Sequence, residues 1–335
     1  MKHELIRCGL ILTVLVILES CGGADPAGRA GRDVTKEDIR IEKKVLVIIY
    51  DPVIRSRGGQ RLSHLLKWND PDTLIERYIR DVSEASWGIV QYRVVERKRP
   101  DEFPQHLDGF RYNDTMFLEA WTTRKFREPG GDYRKIIRDF DIAARVERRE
   151  IDEVWMFGAP GFGWYESTMA GEGAYYCNSD PLSGVTCSRR FVIMGFNYER
   201  GVDCMLEDLG HRTESILWHI YGTWEPNEAN AWSRFTLYDK VAPGRAQCGN
   251  VHFAPNSDAD YDWGNKKVVE SYCDDWYSYP DLPGKKRTVD SREWGGGDMR
   301  LHHMWWLRHL PRAAGTTDGK LNDWWKYIMN YDEYP

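Results

Sequence analysis

The sequence predicts an α/β or mixed α+β domain, with helices packed on a mixed sheet, followed by a C-terminal region rich in aromatic residues and loops. A continuous apolar run at Lys44–Tyr50, rich in β-branched residues, is typical of a strand buried on both faces. Strand and helix patterns then alternate as far as Tyr221. From Trp224 onward this periodicity is lost, while Trp, Gly, Pro and Asn become frequent. The chain therefore divides into an α/β region, 44–223, and a Trp- and Tyr-rich region, 224–335, packed on it.

The elements of the α/β region are predicted in chain order from their start signals and their periodicity. A helix is predicted at Asp70–Ala85, because Asp70 can cap it and Pro71 suits its first position. The later elements are predicted to be strands at Gly88–Val95 and Thr115–Ala120, a helix at Tyr133–Arg148, strands at Glu153–Phe157 and Phe191–Phe196, and a helix at Arg200–Tyr221. This order fits a doubly wound sheet and equally fits a sheet that leads into a functional helix.

The N-terminus has the pattern of an export signal. Lys2 and Arg7 precede an apolar run, Cys8–Leu18, that is too short to span a bilayer. The following Leu-Glu-Ser-Cys resembles the end of a bacterial lipoprotein signal, which implies that residues 1–20 are removed and that Cys21 is lipidated. Residues 21–43 would then form a tether. The expected location is the cell envelope, with the lipid in the outer side of the cytoplasmic membrane or in the outer membrane; simple secretion is the alternative.

Composition excludes one class of partner. The net charge is −6, and the charged residues of both signs are interspersed without a basic stripe. Nucleic acid is therefore not an expected partner.

Five cysteines remain after Cys8 and Cys21 are assigned to the signal and the lipid. Disulfides form outside the cytoplasm. Bridges are predicted between Cys177 and Cys187, which bracket a short loop, and between Cys248 and Cys273. Cys204 is predicted to be free.

The helix at Arg200–Tyr221 carries most of the groups that could do chemistry. At 100° per residue its side chains divide into two faces. The apolar face consists of Val202, Met205, Leu206, Leu209, Ile216 and Ile220. The polar face consists of Glu207, Asp208, His211, Glu214, Ser215 and His219. Cys204 and Trp218 interrupt the polar face and are unusual on an exposed surface, so this face is expected to line a cleft.

The sequence Glu207-Asp208-Leu209-Gly210-His211 resembles the helical HExxH motif of zincin-type metallopeptidases, with two substitutions. His211 matches the second histidine, Glu207 replaces the first, and Asp208 replaces the glutamate that acts as the base. The resemblance implies a zincin-like layout and a zinc ion bound by His211, by Glu207 or Glu214, and by a distant group such as His252. Asp208 or Glu214 would accept the proton. It is equally consistent with a zincin-like scaffold that has lost catalysis.

The glycine-rich segment after Phe157, residues 158–173, has the spacing of neither a dinucleotide-binding nor a phosphate-binding loop. It is predicted to form a loop at the edge of the cleft, from which Glu166 and Glu172 could approach the site.

Three functions are compatible with these features. The first is an envelope-anchored, metal-dependent hydrolase with a peptidase-like site. The second is a non-catalytic lipoprotein that binds a glycan or another polymer through Trp and Tyr rings. The third is a glycoside hydrolase that uses two of the carboxylates Glu207, Asp208 and Glu214. Two segments, CGNVHFAPNSDADYDWGN and LNDWWKYI, resemble exported bacterial proteins of uncharacterised function, and this resemblance implies a family without a reaction.

Overall fold

The computed structural model describes residues 40–334. The predicted signal peptide, most of the tether and the lipidation site at Cys21 lie outside the described residues. Within 40–334, no helix combines the length and apolarity needed to cross a bilayer.

The α/β class and the mixed sheet predicted from the sequence are confirmed. The strands of residues 40–334 are β1 (Ile41–Ile49), β2 (Val53–Ile54), β3 (Gln60–Arg61), β4 (Val90–Lys98), β5 (Glu153–Gly158), β6 (Ser167–Ala170), β7 (Phe191–Asn197), β8 (Val269–Ser271), β9 (Arg287–Val289), β10 (Arg312–Thr317) and β11 (Lys320–Asp323). The main sheet has the order β4-β1-β5-β7-β6, with β6 antiparallel to β7 and the other neighbours parallel. The short strands pair as antiparallel hairpins, β2 with β3, β8 with β9 and β10 with β11.

Helices pack on the main sheet, and three of them lie in the C-terminal part, which consists mostly of loops. They are α1 (Leu62–Leu65), α2 (Pro71–Ala85), α3 (Asp114–Thr123), α4 (Tyr133–Asp139), α5 (Ile142–Glu147), α6 (Val202–Tyr221), α7 (Ala231–Phe235), α8 (Met299–Arg308) and α9 (Trp324–Met329). Short 3-10 helices lie at Arg55–Arg57, Cys273–Ser278 and Ser291–Trp294. The Asp70 carboxylate accepts from the Thr73 amide at 2.8 Å, as expected of the cap of α2.

Two predicted elements are wrong. The segment predicted as a strand at Thr115–Ala120 is helix α3, because the Asn113 side chain caps it and Phe117 and Ala120, three residues apart, are buried on one face. The single helix predicted at Tyr133–Arg148 is two helices, α4 and α5. The break falls at Asp141, whose φ of 51° is left-handed, a conformation that aspartate tolerates better than most residues.

A buried ion pair joins the sheet to α6. Arg212 on α6 and Glu153 on β5 are both fully buried, with Nη1 and Oε1 2.8 Å apart. The Trp155 indole also donates to Oε1 of Glu153 at 2.8 Å, and Arg212 donates to the carbonyl of Ile328 on α9 at 2.9 Å. This network fixes α6 against both the sheet and the C-terminal helix.

One predicted disulfide is confirmed and the other is wrong. Cys248 and Cys273 are bridged, whereas Cys177, Cys187 and Cys204 are free. Cys177 lies beside the Ser167 hydroxyl on β6, and the Cys187 thiol contacts the carbonyl of Ala143 on α5. The two thiols therefore have different neighbours, although only a short loop separates them along the chain.

Asp323 is expected to make stability depend on pH. It caps α9 by accepting from the Trp325 amide, but burial raises its pKa to about 6 against the influence of Lys326 and the amide hydrogen bonds. The pKa of Asp323 is higher in the folded protein than in the unfolded chain. The contribution of the protonated carboxyl to the free energy of unfolding is therefore fully present below about pH 4 and is lost as the pH rises through 6. We expect Asp323→Asn to match the wild type near pH 4 and to exceed its free energy of unfolding by about 3 kcal/mol at pH 7.

Urea unfolding at several pH values would measure this difference, with Asp298→Asn as the control. Asp298 also caps a helix, α8, but it is exposed. A gap between Asp323→Asn and wild type that does not change with pH would contradict the prediction.

Candidate metal centre

Helix α6 follows β7, the last parallel strand of the main sheet, and places its polar face in a cleft. Glu207, Asp208 and Glu214 each expose less than a tenth of their surface, and Ser215 is almost fully buried. A solvated stripe would be exposed, so the expectation of a cleft-lining face is confirmed for these residues, whereas His219 near the end of the helix is exposed.

Three potential metal ligands converge at this face. The nearest donor atoms of Glu207, His211 and His252 all lie within 4.8 Å of one another. The Nε2 atoms of the two histidines are 3.1 Å apart, and Nε2 of His252 is 3.2 Å from Oε1 of Glu207. Helix periodicity brings Glu207 and His211 together, whereas His252 comes from a loop 41 residues later in the chain.

Each histidine is held by a carboxylate at its other ring nitrogen. Nδ1 of His211 lies 3.0 Å from Oε2 of Glu214, and Nδ1 of His252 lies 3.0 Å from Oδ1 of Asp260. A proton on Nδ1 shared with a carboxylate leaves Nε2 with a free lone pair, which is the tautomer that metal-binding histidines adopt. Two imidazole nitrogens and one carboxylate oxygen also form a donor set that suits zinc.

The loop that carries His252 packs closely against α6 because Gly210 has no side chain. A Cβ on Gly210 would lie 2.5 Å from a methyl group of Val251. Glycine within a helix costs about 1 kcal/mol relative to alanine, and here it permits this approach. The Val251 amide donates to Oε1 of Glu214 at 3.0 Å, so one carboxylate positions both His211 and the loop.

Two further bonds anchor the same loop to later parts of the C-terminal region. The disulfide at Cys248 joins it to Cys273, and the Trp306 indole donates to the carbonyl of Gly249 at 3.1 Å. At the far end of the loop the Tyr261 amide donates to the carbonyl of His252 at 3.2 Å. This hydrogen bond brings the chain back beside His252, where Asp260 reaches the imidazole.

The charges of the centre are dominated by carboxylates. Burial lowers the pKa of His211, but the hydrogen bond and charge of Glu214, together with the charges of Glu166 and Glu207, outweigh it and raise the pKa to about 9. Burial opposes ionisation of Glu207, yet the hydrogen bond from His252 and the nearby histidines hold its pKa below the usual value. The carboxylates around His211 and Glu207 thus favour a positive charge at this site.

Asp208 faces a second cavity of about 430 Å³, which Glu207, Glu166 and Arg200 also line. Burial raises the pKa of Asp208 well above its usual range, and the charges of Glu166 and Glu207 add to this effect. A carboxyl group with a raised pKa beside a potential metal ligand is suited to accept and return a proton.

No protein-family model matches this chain, and no curated protein matches it. The evidence for a function therefore lies in the residues of the centre.

Of the residues predicted from the sequence, Glu207, His211 and His252 converge at this centre. Glu214 contacts His211, and Asp208 lines the neighbouring cavity together with Glu207. Glu214 lies outside the group of converging donors, since its two oxygens contact His211 and the Val251 amide. Glu166 reaches the Asp208 cavity from just before β6, which forms within the segment predicted as a loop, whereas Glu172 is exposed to solvent.

Sequence reasoning missed Asp260. Its only signal is a position eight residues after His252 in an acidic stretch, and such stretches are common in solvated loops.

Proposed function

We propose that this protein is a metal-dependent hydrolase that cleaves peptide bonds, with a zinc ion held by Glu207, His211 and His252. The observation that supports this most strongly is the convergence of three donor atoms within 4.8 Å, where each imidazole is also oriented by its own carboxylate. A solvated polar face would not need Glu214 and Asp260 in these positions.

The residues around the ion would have distinct roles. Zinc would supply Lewis-acid polarisation of the carbonyl group and activation of water. Asp208 would accept the proton of the attacking water and return it to the leaving amine, because its raised pKa makes it a stronger base than an ordinary carboxylate. Glu214 and Asp260 would keep the two imidazole rings in the correct tautomer and orientation.

The metal content of the purified protein tests the proposal. We expect about one equivalent of zinc in wild type and none in His211→Ala. Zinc at about 1,000 times its dissociation constant would contribute about 4 kcal/mol of stability, so a chelator should lower the melting temperature of wild type but leave that of His211→Ala unchanged. His219→Ala is the control, because His219 is an exposed histidine on the same helix and should leave metal content unchanged.

Elemental analysis and thermal melting with and without chelator provide both readouts. Absence of stoichiometric metal from wild type that has been supplied with zinc, together with identical melts of wild type and His211→Ala, would contradict the hydrolase. A non-catalytic polymer-binding protein would then be the better assignment.

We also propose that the protein is anchored at the cell envelope by a lipid on Cys21. The Leu-Glu-Ser-Cys sequence supports the anchor, and the disulfide between Cys248 and Cys273 suits an oxidising compartment. Cys21→Ala should release the protein from membranes, because stable anchoring needs the acyl chains. Membrane fractionation and the intact mass of the extracted protein measure this, and a wild type that is soluble and carries no lipid mass would refute the anchor.

A further inference from the structure

A cavity of about 510 Å³ opens beside the metal centre on the side of His211 and His252. Five Trp, Tyr and Phe side chains line this cavity, and we refer to it as the aromatic pocket. These side chains are Tyr176, Trp218, Trp224, Trp232 and Phe253. Trp232 is almost fully buried, whereas Trp224 is about half exposed, at 51 %, so the pocket has a closed inner end and an open rim.

The exposed rings of the pocket pack edge to face against one another, so they do not form a flat platform. The ring planes of Tyr176 and Trp218 meet at 80°, with centroids 5.9 Å apart. Those of Trp218 and Trp224 meet at 87°, with centroids 5.7 Å apart. A sugar ring stacks on one open aromatic face, whereas a cavity lined by rings that face in different directions suits a compact apolar group.

The polar atoms of the wall are largely occupied within the protein. Both oxygens of Glu214 accept hydrogen bonds from His211 and the Val251 amide. Oδ1 of Asn250 accepts from two loop amides, and the Thr236 hydroxyl donates to the carbonyl of Ser233. A ligand rich in hydroxyl groups would therefore find few free partners, and burying unpaired hydroxyls is costly.

Binding of a peptide by strand addition is also obstructed at the edge of the main sheet. The outer edge of β6 is already covered by the following segment, in which the Leu182 amide donates to the carbonyl of Met169 at 2.9 Å. The Ser179 hydroxyl donates to the carbonyl of Ser167 at 3.0 Å. Because backbone carbonyls at this edge already accept hydrogen bonds within the protein, a bound peptide must be recognised more through its side chains.

We infer that the aromatic pocket receives one bulky apolar side chain, of phenylalanine or leucine type, from the peptide that the metal centre cleaves. That this peptide is cleaved rests on the proposed function. The preference of the pocket for an apolar side chain does not depend on bound metal. The substrate class is thus a peptide with a large apolar residue next to the bond that is cleaved.

The test uses the full chain, treated with chelator, and three probes that lack a strong metal-binding group. These probes are N-acetylphenylalanine amide, N-acetylalanine amide and the trimer of N-acetylglucosamine, each titrated by ligand-detected NMR. We expect the phenylalanine amide to bind about tenfold or more tightly than the alanine amide, because it buries a full aromatic side chain. Trp224→Ala should weaken binding of the phenylalanine amide about tenfold, and Trp87→Ala, which replaces an equally exposed tryptophan outside the pocket, should leave it unchanged.

Each result separates this inference from the proposed function. Equal binding of the two amides, failure of the phenylalanine amide to bind, or a Trp224→Ala variant with wild-type affinity would overturn the pocket assignment while leaving the zinc measurement intact. Binding of the sugar trimer in preference to both amides would overturn it in favour of a glycan ligand. If wild type binds no zinc but binds the probes as expected, the proposed hydrolase is refuted and the pocket assignment stands.

Discussion

Replacement of Arg212 by methionine is expected to lower the free energy of unfolding by about 3 to 5 kcal/mol. Both members of the Arg212–Glu153 pair are fully buried, so removal of the guanidinium leaves the carboxylate of Glu153 in the interior without its ion-pair partner. Arg212 also follows His211 directly in the chain and donates to the Ile328 carbonyl, so its loss would loosen α6 at the metal centre.

The double variant Arg212→Met with Glu153→Gln separates the charge from the packing. Glutamine keeps an acceptor for the Trp155 indole and removes the unpaired negative charge. We expect it to recover most of the lost stability, because breaking a buried pair costs more than replacing both partners. Chemical denaturation of the four proteins, wild type, both single variants and the double variant, gives the coupling energy. A single Arg212→Met variant as stable as wild type would show that the pair contributes little.

If the protein is the proposed hydrolase, Asp208→Asn is expected to abolish most hydrolysis while leaving the metal in place. Asparagine has nearly the same shape but cannot accept the proton, and loss of a general base typically lowers the rate about 10²- to 10⁴-fold. Asp208 lies outside the group of converging donors, so zinc content should stay at the wild-type level. Cleavage of a defined peptide mixture, followed by mass spectrometry, measures the first quantity, and elemental analysis measures the second.

Asp203→Asn is the matched control for Asp208→Asn. It removes a carboxylate from the same helix, more than one turn earlier and outside the cavity that Asp208 lines. We expect it to keep wild-type cleavage. If Asp208→Asn and Asp203→Asn cleave the peptides at the same rate, Asp208 is not the base.

Local periodicity explains why the helix of the centre could be predicted. The spacing of Glu207, His211 and Glu214 on one face follows from helix geometry alone, and the alternation of apolar and polar residues identifies α6 with nearly correct ends. The central strands β1, β5 and β7 were similarly evident from continuous apolar runs.

Features that depend on tertiary packing were harder to predict. The approach of His252 to His211 requires the missing side chain of Gly210 and the turn that returns Asp260, and neither has a local sequence pattern. The pairing of the cysteines also depends on tertiary packing. Cys177 and Cys187 are close in sequence, but their thiols contact different parts of the fold and do not form a bridge. In α3, a short apolar run was ambiguous between strand and helix, and the Asn113 cap selects the helix.

If the protein binds metal as proposed, the bridge between Cys248 and Cys273 would couple the oxidation state of the chain to its affinity for that metal. His252 lies four residues after Cys248, so ordering of this segment by the disulfide lowers the entropy lost when the imidazole becomes a ligand. Thermodynamic linkage makes the effect reciprocal: the factor by which oxidation tightens metal binding equals the factor by which bound metal protects the bridge against reductant. The reduced chain would therefore bind the proposed ion more weakly than the oxidised chain, and bound ion would make the bridge harder to reduce.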